Sequence, residues 1–126
     1  MENATQINGL SFYSCGNITI SELPSGVTSI GTEAFMYCSK LALKELPSGI
    51  TSIGTNAFGS CRNITITELP ISLTKIEDQA FWGCTKIASL KYNGVVYTSR
   101  SALTAALTNN GVTVGKEVFS GTALSD

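Results

Sequence analysis

Hydrophobic residues recur along this chain with a constant spacing of 23 residues. The period is carried by two independent sets of rare residues: Phe12, Phe35, Phe58, Phe81, and Cys15, Cys38, Cys61, Cys84. The Leu-Pro pairs that begin at Leu23, Leu46 and Leu69 follow the same step. Two sets with one period indicate structural repeats, each too small to bury its apolar face alone, so that neighbours must stack.

Each repeat contains two segments with different patterns. The first segment, NITISEL or NITITEL, alternates apolar and polar residues and is rich in β-branched ones, which predicts a half-buried strand with its isoleucines facing inward. The second segment, PSGVTSIG, predicts a turn leading into a short extended or irregular stretch, and TEAFMYC predicts one helical turn that buries Phe and Cys. A repeat is therefore one lap of a coil. Equivalent positions, here called columns, are expected to stack about 4.8 Å apart along a parallel sheet.

Three complete repeats are predicted at residues 17–39, 40–62 and 63–85, preceded by a partial repeat at 1–16. Because the partial repeat aligns with the second half of a complete one, the chain begins in mid-repeat. An apolar end without a preceding lap needs a cover, supplied by a missing segment, a special cap or a partner chain. Excision from a longer array is the favoured explanation of this beginning.

The period breaks in residues 86–126, which we interpret as a degenerate last repeat with an insertion. An Asn-Gly pair between two strand-like runs predicts a β-hairpin at residues 90–98. A helix is predicted at residues 100–109, with Ser99 or Ser101 as its N-cap and a glycine just beyond its end.

The repeat resumes after the predicted helix. Phe119 continues the phenylalanine column and Thr122 the cysteine column, one period plus 15 residues after Phe81 and Cys84. The inserted hairpin and helix are therefore expected to cap the last apolar end, and the whole chain to form a single domain.

The combination of an apolar strand, Leu-Pro, SxVTSIGxxAFxxC and the 23-residue period resembles the BspA-type leucine-rich-repeat family from Ala4 to about Ile87. The resemblance implies a short right-handed solenoid with a parallel β-sheet, here of about four to five laps. It further implies adhesion or protein binding, since the family occurs mostly in surface and secreted proteins of bacteria and some protists. The chain departs from the family by placing the apolar residues of the first segment two apart, as in Ile18 and Ile20, where the family often spaces them three apart.

Composition excludes several classes of partner. The chain of 126 residues is 43% hydrophobic and 13% charged, which suits one domain, and its net charge of -1 provides no basic surface for a nucleic acid. No apolar run approaches the roughly 18 to 20 residues of a membrane span, and MENATQINGL lacks the features of a signal peptide. We therefore expect neither nucleic-acid binding nor membrane insertion.

The ionisable residues give little support to catalysis. The chain has no histidine, so the commonest general base is missing. The carboxylates of Glu22, Glu45 and Glu68 occupy equivalent positions, whereas glycosidase-type catalysis needs two carboxylates in different environments. These glutamates could hold Ca²⁺, but the Asp-rich spacing of a calcium site is absent and a solvated edge is favoured. No catalytic residue, cofactor or metal site is predicted.

The four cysteines admit two interpretations. Stacked neighbours about 4.8 Å apart lie within the Cα distance window of a disulfide. Each cysteine nevertheless follows a phenylalanine at an apolar position, and free cysteine is among the most buried residue types. A ladder of reduced, packed thiols is therefore favoured, and a single column of thiols cannot close a tetrahedral zinc site.

The remaining candidate for function is the surface. The outward residues of the first segments predict a small, polar and mildly basic binding face: Asn17, Thr19, Ser21, Lys40, Lys44, Asn63, Thr65, Thr67 and Lys86. This face lacks the aromatic anchors of a binding hot spot. Tyr92 and Tyr97, on either side of the hairpin turn, are a candidate contact edge, with core packing of Tyr97 as the alternative.

Three functions remain as hypotheses, of which the least favoured is an enzyme with an unusual lysine or carboxylate site, marked by a strongly shifted pKa in a cleft. The two favoured ones are non-catalytic. The first is a non-catalytic module that binds a protein or a glycan and belongs to a surface or secreted, adhesin-like protein. The second is a structural component of a larger assembly, such as a bacteriophage fibre or decoration protein, which would place the chain in a virion and make an oligomer obligatory.

Overall fold

A computed structural model describes residues 5–126, so the first four residues of the predicted partial repeat lie outside the described part. Its regular elements are short: β1 (Gln6–Ile7), β2 (Ser29–Ile30), β3 (Ser52–Ile53), β4 (Lys75–Ile76), β5 (Leu90–Tyr92), β6 (Val95–Tyr97), α1 (Arg100–Asn109) and β7 (Thr113–Val114). The strands β1, β2, β3, β4 and β7 form one parallel sheet in that order, and β5 and β6 form a separate hairpin.

The parallel sheet confirms the predicted solenoid. Ser29 pairs with Ser52 and Ile30 with Ile53, so the register joins positions one period apart. The last pairing joins Ile76 to Val114 across the insertion. Each lap contributes one strand, which makes five laps, while the limits of the individual repeats stay a prediction.

The strands lie in the second segment of each repeat, and their prediction in the first segment was wrong. Neighbouring laps are joined along the first segment by isolated hydrogen bonds, such as Lys44 N to Ser21 O at 3.0 Å and Thr65 N to Leu43 O at 2.9 Å. The buried positions there are Leu41, Leu43 and Leu46, so the alternation breaks just before the proline. A strand of two residues is too short to show alternation. The strands of the second segment could therefore not be predicted from the pattern of apolar and polar residues.

Two features of the second segment bring neighbouring backbones together. Threonines form an exposed column in which each donates to the lap before it, the Thr51 hydroxyl to Thr28 O at 3.1 Å and the Thr74 hydroxyl to Thr51 O at 3.0 Å. At Gly31 the laps approach so closely that a Cβ would lie 2.3 Å from the backbone nitrogen of Gly9. Glycine is needed at Gly31 because no side chain fits between the two backbones.

The core is a set of columns that run through the laps. Phe12, Phe35, Phe58, Phe81 and Phe119 stack face to face, with ring centroids 5.1 to 5.8 Å apart and interplanar angles of 12° or less. The thiols of Cys38, Cys61 and Cys84 donate to phenylalanine carbonyl oxygens of the preceding lap at 2.9, 3.0 and 3.1 Å. These columns confirm the expected burial of Phe and Cys in the inner laps.

The stretch that carries Phe and Cys is a series of tight turns, so the predicted helical turn was wrong. In the second lap Glu33 and Tyr37 have φ of 56° and 64°, in the left-handed region, and their equivalents in other laps share this sign. Hydrogen bonds that span three residues, such as Cys38 N to Phe35 O at 3.1 Å, close the turns. Left-handed residues interrupt a right-handed helix, because its successive residues must all have negative φ.

The insertion forms the predicted hairpin and helix. Asn93 and Gly94 have φ of 50° and 83° and make the tight turn between β5 and β6. Ser99 is the N-cap of α1, since its hydroxyl accepts from Ala102 N at 3.2 Å. Leu103 and Leu107 of the helix are buried in the common core.

Candidate functional site

The predicted polar face exists as a surface beside the sheet. Asn17, Thr19, Ser21, Lys40, Lys44, Thr65, Thr67 and Lys86 are exposed, and Asn63 is half-buried. Beneath them, Leu41, Leu43, Ile64 and Ile66 are buried and fix the first segments in place. The residues therefore share one surface, but they do not lie on the strands of the sheet.

The predicted contact edge is wrong for Tyr92. This side chain is 1% exposed, and its hydroxyl accepts a hydrogen bond from Asn110 Nδ2 at 2.8 Å. Tyr97 is half-buried and packs against the core. In a strand of three residues facing a helix, alternate side chains point into the core, and Leu90 and Tyr92 both take that direction in β5.

The outer face of the parallel sheet carries a shallow groove of about 270 Å³ near Ser29, Ser52 and Glu77. Lys75 Nζ lies 2.9 Å from Glu77 Oε1. The hydrogen bond from Lys75 is the main cause that lowers the pKa of the Glu77 carboxyl; burial opposes this effect, and a hydrogen bond from Thr55 lowers the pKa further. The carboxylate of Glu77 at the groove is therefore balanced by the charge of Lys75, which leaves little net charge for a ligand.

A larger cleft of about 590 Å³ lies where the repeats meet the hairpin turn. Its lining comes from the Leu-Pro turns of two laps and from the tip of the hairpin: Glu45, Leu46, Ser48, Thr67, Glu68, Leu69, Pro70, Ile71, Asn93 and Gly94. Two hydrogen bonds hold the hairpin against the repeat at this point, Lys91 N to Thr67 O at 2.8 Å and Leu69 N to Lys91 O at 2.9 Å. The cleft is thus a fixed feature of the fold.

The cleft combines an acidic rim with an apolar wall. Glu45 and Glu68 are exposed, and within residues 5–126 no lysine or arginine forms an ion pair with either of them. Ile71 is 57% exposed, whereas Leu46 and Leu69 beside it are buried. Such a surface can accept a cationic group at the rim and an aliphatic group against the wall.

One departure from the repeat pattern in the sequence marks this cleft, but an analysis based on the shared positions of the repeats does not detect it. The glutamate column was expected to be a solvated edge, and the carboxylates are indeed exposed. The informative residue is Ile71, which stands where the two preceding repeats have Ser25 and Ser48. An exposed isoleucine in place of a turn serine marks the position at which the surface changes from solvated to apolar.

The cysteines differ in their chemistry according to their place in the stack. All four are free thiols, of which Cys15 is exposed and the other three are buried. Burial raises the pKa of the Cys61 thiol to about 12, and it also raises the pKa of Cys38 and Cys84. Among residues 5–126 no group of three or more potential metal-ligating side chains occurs.

Short stacked laps with a parallel sheet of two-residue strands define the leucine-rich-repeat class of solenoid. Residues 5–126 match the family described as BspA type Leucine rich repeat region, in six copies. The chain belongs to this family, as its sequence pattern indicated.

Two solved structures share the fold. One is a leucine rich cell surface protein from Faecalibacterium prausnitzii, with a TM-score of 0.59 and 22% identity, over 96% of this chain and 35% of that protein. The other is a leucine-rich repeat protein from Bacteroides ovatus, with a TM-score of 0.60 and 20% identity, over 98% of this chain and 34% of that protein. The chain spans about a third of the length of either structure. None of the curated proteins compared with it matches.

No helix in the described part of the chain has the length and apolar character needed to cross a membrane.

Proposed function

We propose that this chain is a non-catalytic, protein-binding repeat module of a surface or secreted protein, and that it binds a peptide segment in the cleft beside the hairpin. The segment carries a lysine or arginine next to an aliphatic side chain. The observation that carries the proposal is the juxtaposition of Glu45 and Glu68 with the exposed Ile71 in the largest of the clefts described.

The chemistry of the cleft favours such a segment over a small anion or a nucleic acid. Two carboxylates on neighbouring laps attract a cation, and an aliphatic group that covers Ile71 removes apolar surface from water. Asn93 at the hairpin tip and Ser48 also line the cleft and offer hydrogen-bonding groups to a peptide backbone. Mixed clefts of this kind, with an apolar wall and a few polar groups, are the usual form of ligand sites.

Two further considerations support the class of function. Repeat solenoids present extended surfaces, and leucine-rich repeats generally mediate interactions between proteins. One protein with this fold is described as a cell surface protein. Placement at the cell surface is therefore part of the proposal.

The experiment is a selection of short peptides from a display library on the immobilised chain, followed by affinity measurements on the enriched peptides. We expect enrichment of sequences that combine Lys or Arg with Leu, Ile or Val. The double variant Glu45→Gln/Glu68→Gln should weaken binding about fivefold and reduce its salt dependence, because exposed ion pairs contribute up to about 1 kcal/mol. Ile71→Ser, which restores the residue of the other repeats, should weaken it further.

The matched control is the double variant Lys40→Ala/Lys86→Ala, which changes the polar face of the first segments and leaves the cleft intact. Peptide binding that survives Ile71→Ser but is lost in this control would contradict the assignment to the cleft. Binding of glycans that depends on Lys40 and Lys86 would instead favour the polar face as a glycan site.

A further inference from the structure

Two exposed aromatic side chains lie on the turns that carry the phenylalanine and cysteine columns. Tyr37, in the second lap, is 46% exposed, and Trp82, in the fourth lap, is 39% exposed. Neither residue lines the peptide cleft, which lies at the Leu-Pro turns. Because large aromatic side chains gain much from burial against a ligand, this pair marks a second surface that can bind one.

The lap between these two residues leaves a gap. The third lap has small residues at the corresponding positions, Ser60 one period after Tyr37 and Gly59 one period before Trp82. Backbone hydrogen bonds join the three laps here, Tyr37 N to Gly59 O at 2.9 Å and Ser60 N to Trp82 O at 2.7 Å. Tyr37 and Trp82 therefore flank a gap of one lap with Gly59 and Ser60 as its floor, and we call these four residues the aromatic notch.

The aromatic notch has the width of two lap-to-lap steps. The phenylalanine rings of the same three laps, Phe35, Phe58 and Phe81, are 5.5 Å apart at each step. The backbones that carry the two exposed aromatic side chains are thus separated by about 11 Å. A ring that contacts aromatic faces on both sides needs roughly 8 Å between them, since carbon atoms pack about 4 Å apart. One ring of a ligand therefore fits in the notch.

Polar groups without charge lie beside the aromatic notch. The side chain of Asn56 lies against its floor, since a Cβ added at Gly59 would be 2.9 Å from Asn56 Oδ1. Asn56 Nδ2 donates to Gln79 Oε1 at 3.3 Å, which orients the amide and leaves Oδ1 as an acceptor for a ligand. The hydroxyl of Ser60 lies next to Gly83, where it would be 3.3 Å from an added Cβ. The notch thus combines two aromatic side chains with an amide and a hydroxyl.

This combination of groups matches the chemistry of a sugar. The electron-rich faces of aromatic rings attract the polarised C–H groups of a sugar ring, and the sugar hydroxyls bond to amide and hydroxyl groups of the protein. β-Linked gluco-configured sugars suit a notch with two aromatic sides, because their substituents are equatorial and both faces of the ring carry C–H groups. A charged ligand is disfavoured, since none of the notch residues is ionised to compensate for its lost hydration.

We propose that the aromatic notch binds one ring of a neutral, β-linked, gluco-configured glycan, which is held between Tyr37 and Trp82. Asn56 and Ser60 form hydrogen bonds with its hydroxyl groups. The proposal is independent of the peptide cleft, because the two sites share no residue. A failure of one proposal therefore leaves the other intact.

The test is a fluorescence titration, because Trp82 is the single tryptophan of the chain and reports on the notch directly. The probes are cellotriose and triacetylchitotriose, with the α-linked maltotriose for comparison. We expect at least one of the two β-linked probes to shift the Trp82 emission saturably, and maltotriose to bind at least tenfold more weakly. A response to cellotriose alone would identify glucose as the preferred unit, and a response to triacetylchitotriose alone would identify N-acetylglucosamine.

Two variants exchange the residues of neighbouring laps and keep the reporter. Ser60→Tyr fills the notch and should weaken binding at least tenfold; it should fold, because Ser60 and Tyr37 have nearly the same φ, 57° and 64°. Tyr37→Ser removes one side of the notch and should weaken binding severalfold. Ile71→Ser, in the peptide cleft, is the control and should bind as the wild type does. Circular dichroism establishes that the variants are folded.

Three results would overturn the proposal. The first is the absence of a saturable response to either β-linked probe. The second is unchanged affinity in both Ser60→Tyr and Tyr37→Ser, or a loss of affinity in Ile71→Ser alone. The third is an equal response to maltotriose, which would contradict a ring held by two equivalent faces.

Discussion

The two ends of the solenoid are built from the same columns and have opposite properties. At the first lap, Phe12 is half-buried and Cys15 is exposed, whereas at the last lap Phe119 and Thr122 are buried. The local sequence around each phenylalanine is similar, so the difference comes from what lies beyond the lap. In the last repeat, the inserted hairpin, α1 and the final residues supply that cover.

The cysteine column also shows that the environment of a residue depends on the place of its lap in the stack. Cys15 and Cys61 occupy equivalent positions, but only the second has neighbouring laps on both sides. Desolvation raises the pKa of Cys61 to about 12, and the effect on Cys84 is in the same direction. The position of a lap in the stack therefore sets the reactivity of a side chain that the repeat alone would make identical.

The largest expected effect concerns the phenylalanine column. Phe58→Ala removes a ring that is fully buried between Phe35 and Phe81, and should lower the free energy of unfolding by about 3–5 kcal/mol. Phe12→Ala should cost well under half as much, because its ring is only half-buried. Urea denaturation of both variants and the wild type measures these two losses. Equal losses would show that the first lap is packed as firmly as the inner ones.

A smaller effect concerns the thiols. One cysteine, Cys15, should react rapidly with a thiol reagent in the native protein, and the other three only after unfolding. Since the folded pKa of Cys61 lies above its ordinary value of 9.0, its protonated form stabilises the fold below about pH 9. That contribution should be lost as the pH rises from 9 toward 12. Rapid reaction of two or more thiols at neutral pH would contradict the burial of this column.

Much of the fold was predictable because each local sequence feature occurs again in every repeat. The period, the stacked phenylalanines, the reduced inner thiols and the Asn-Gly hairpin all followed from residue identity and spacing. The strands did not, since a two-residue strand has no alternation and depends on the close approach of backbones at glycines such as Gly31. Tyr92 was wrongly predicted to be exposed. Its burial results from packing of α1 against the hairpin, and a tertiary contact of this kind produces no periodic pattern in the sequence.

The candidate site was less predictable than the fold. The polar face of the first segments could be read from the sequence, because outward residues repeat with the period. The cleft depends on how the hairpin turn lies over Glu68 and Ile71, and that geometry involves the one region where the period fails. A departure from the repeat, such as Ile71 in place of serine, is the type of signal that points to such a site.

Amide hydrogen exchange, measured lap by lap, tests most directly the claim that, within residues 5–126, the first lap of the stack is less covered than the last. Phe12 N donates to Ala34 O at 2.7 Å and Gly83 N to Ser120 O at 2.9 Å, so both amides are bonded between an end lap and its neighbour. We predict that the Phe12 amide exchanges much faster, through local opening of the first lap, while Gly83 approaches the protection of the inner laps. Equal protection of the two amides, or faster exchange at Gly83, would contradict the account.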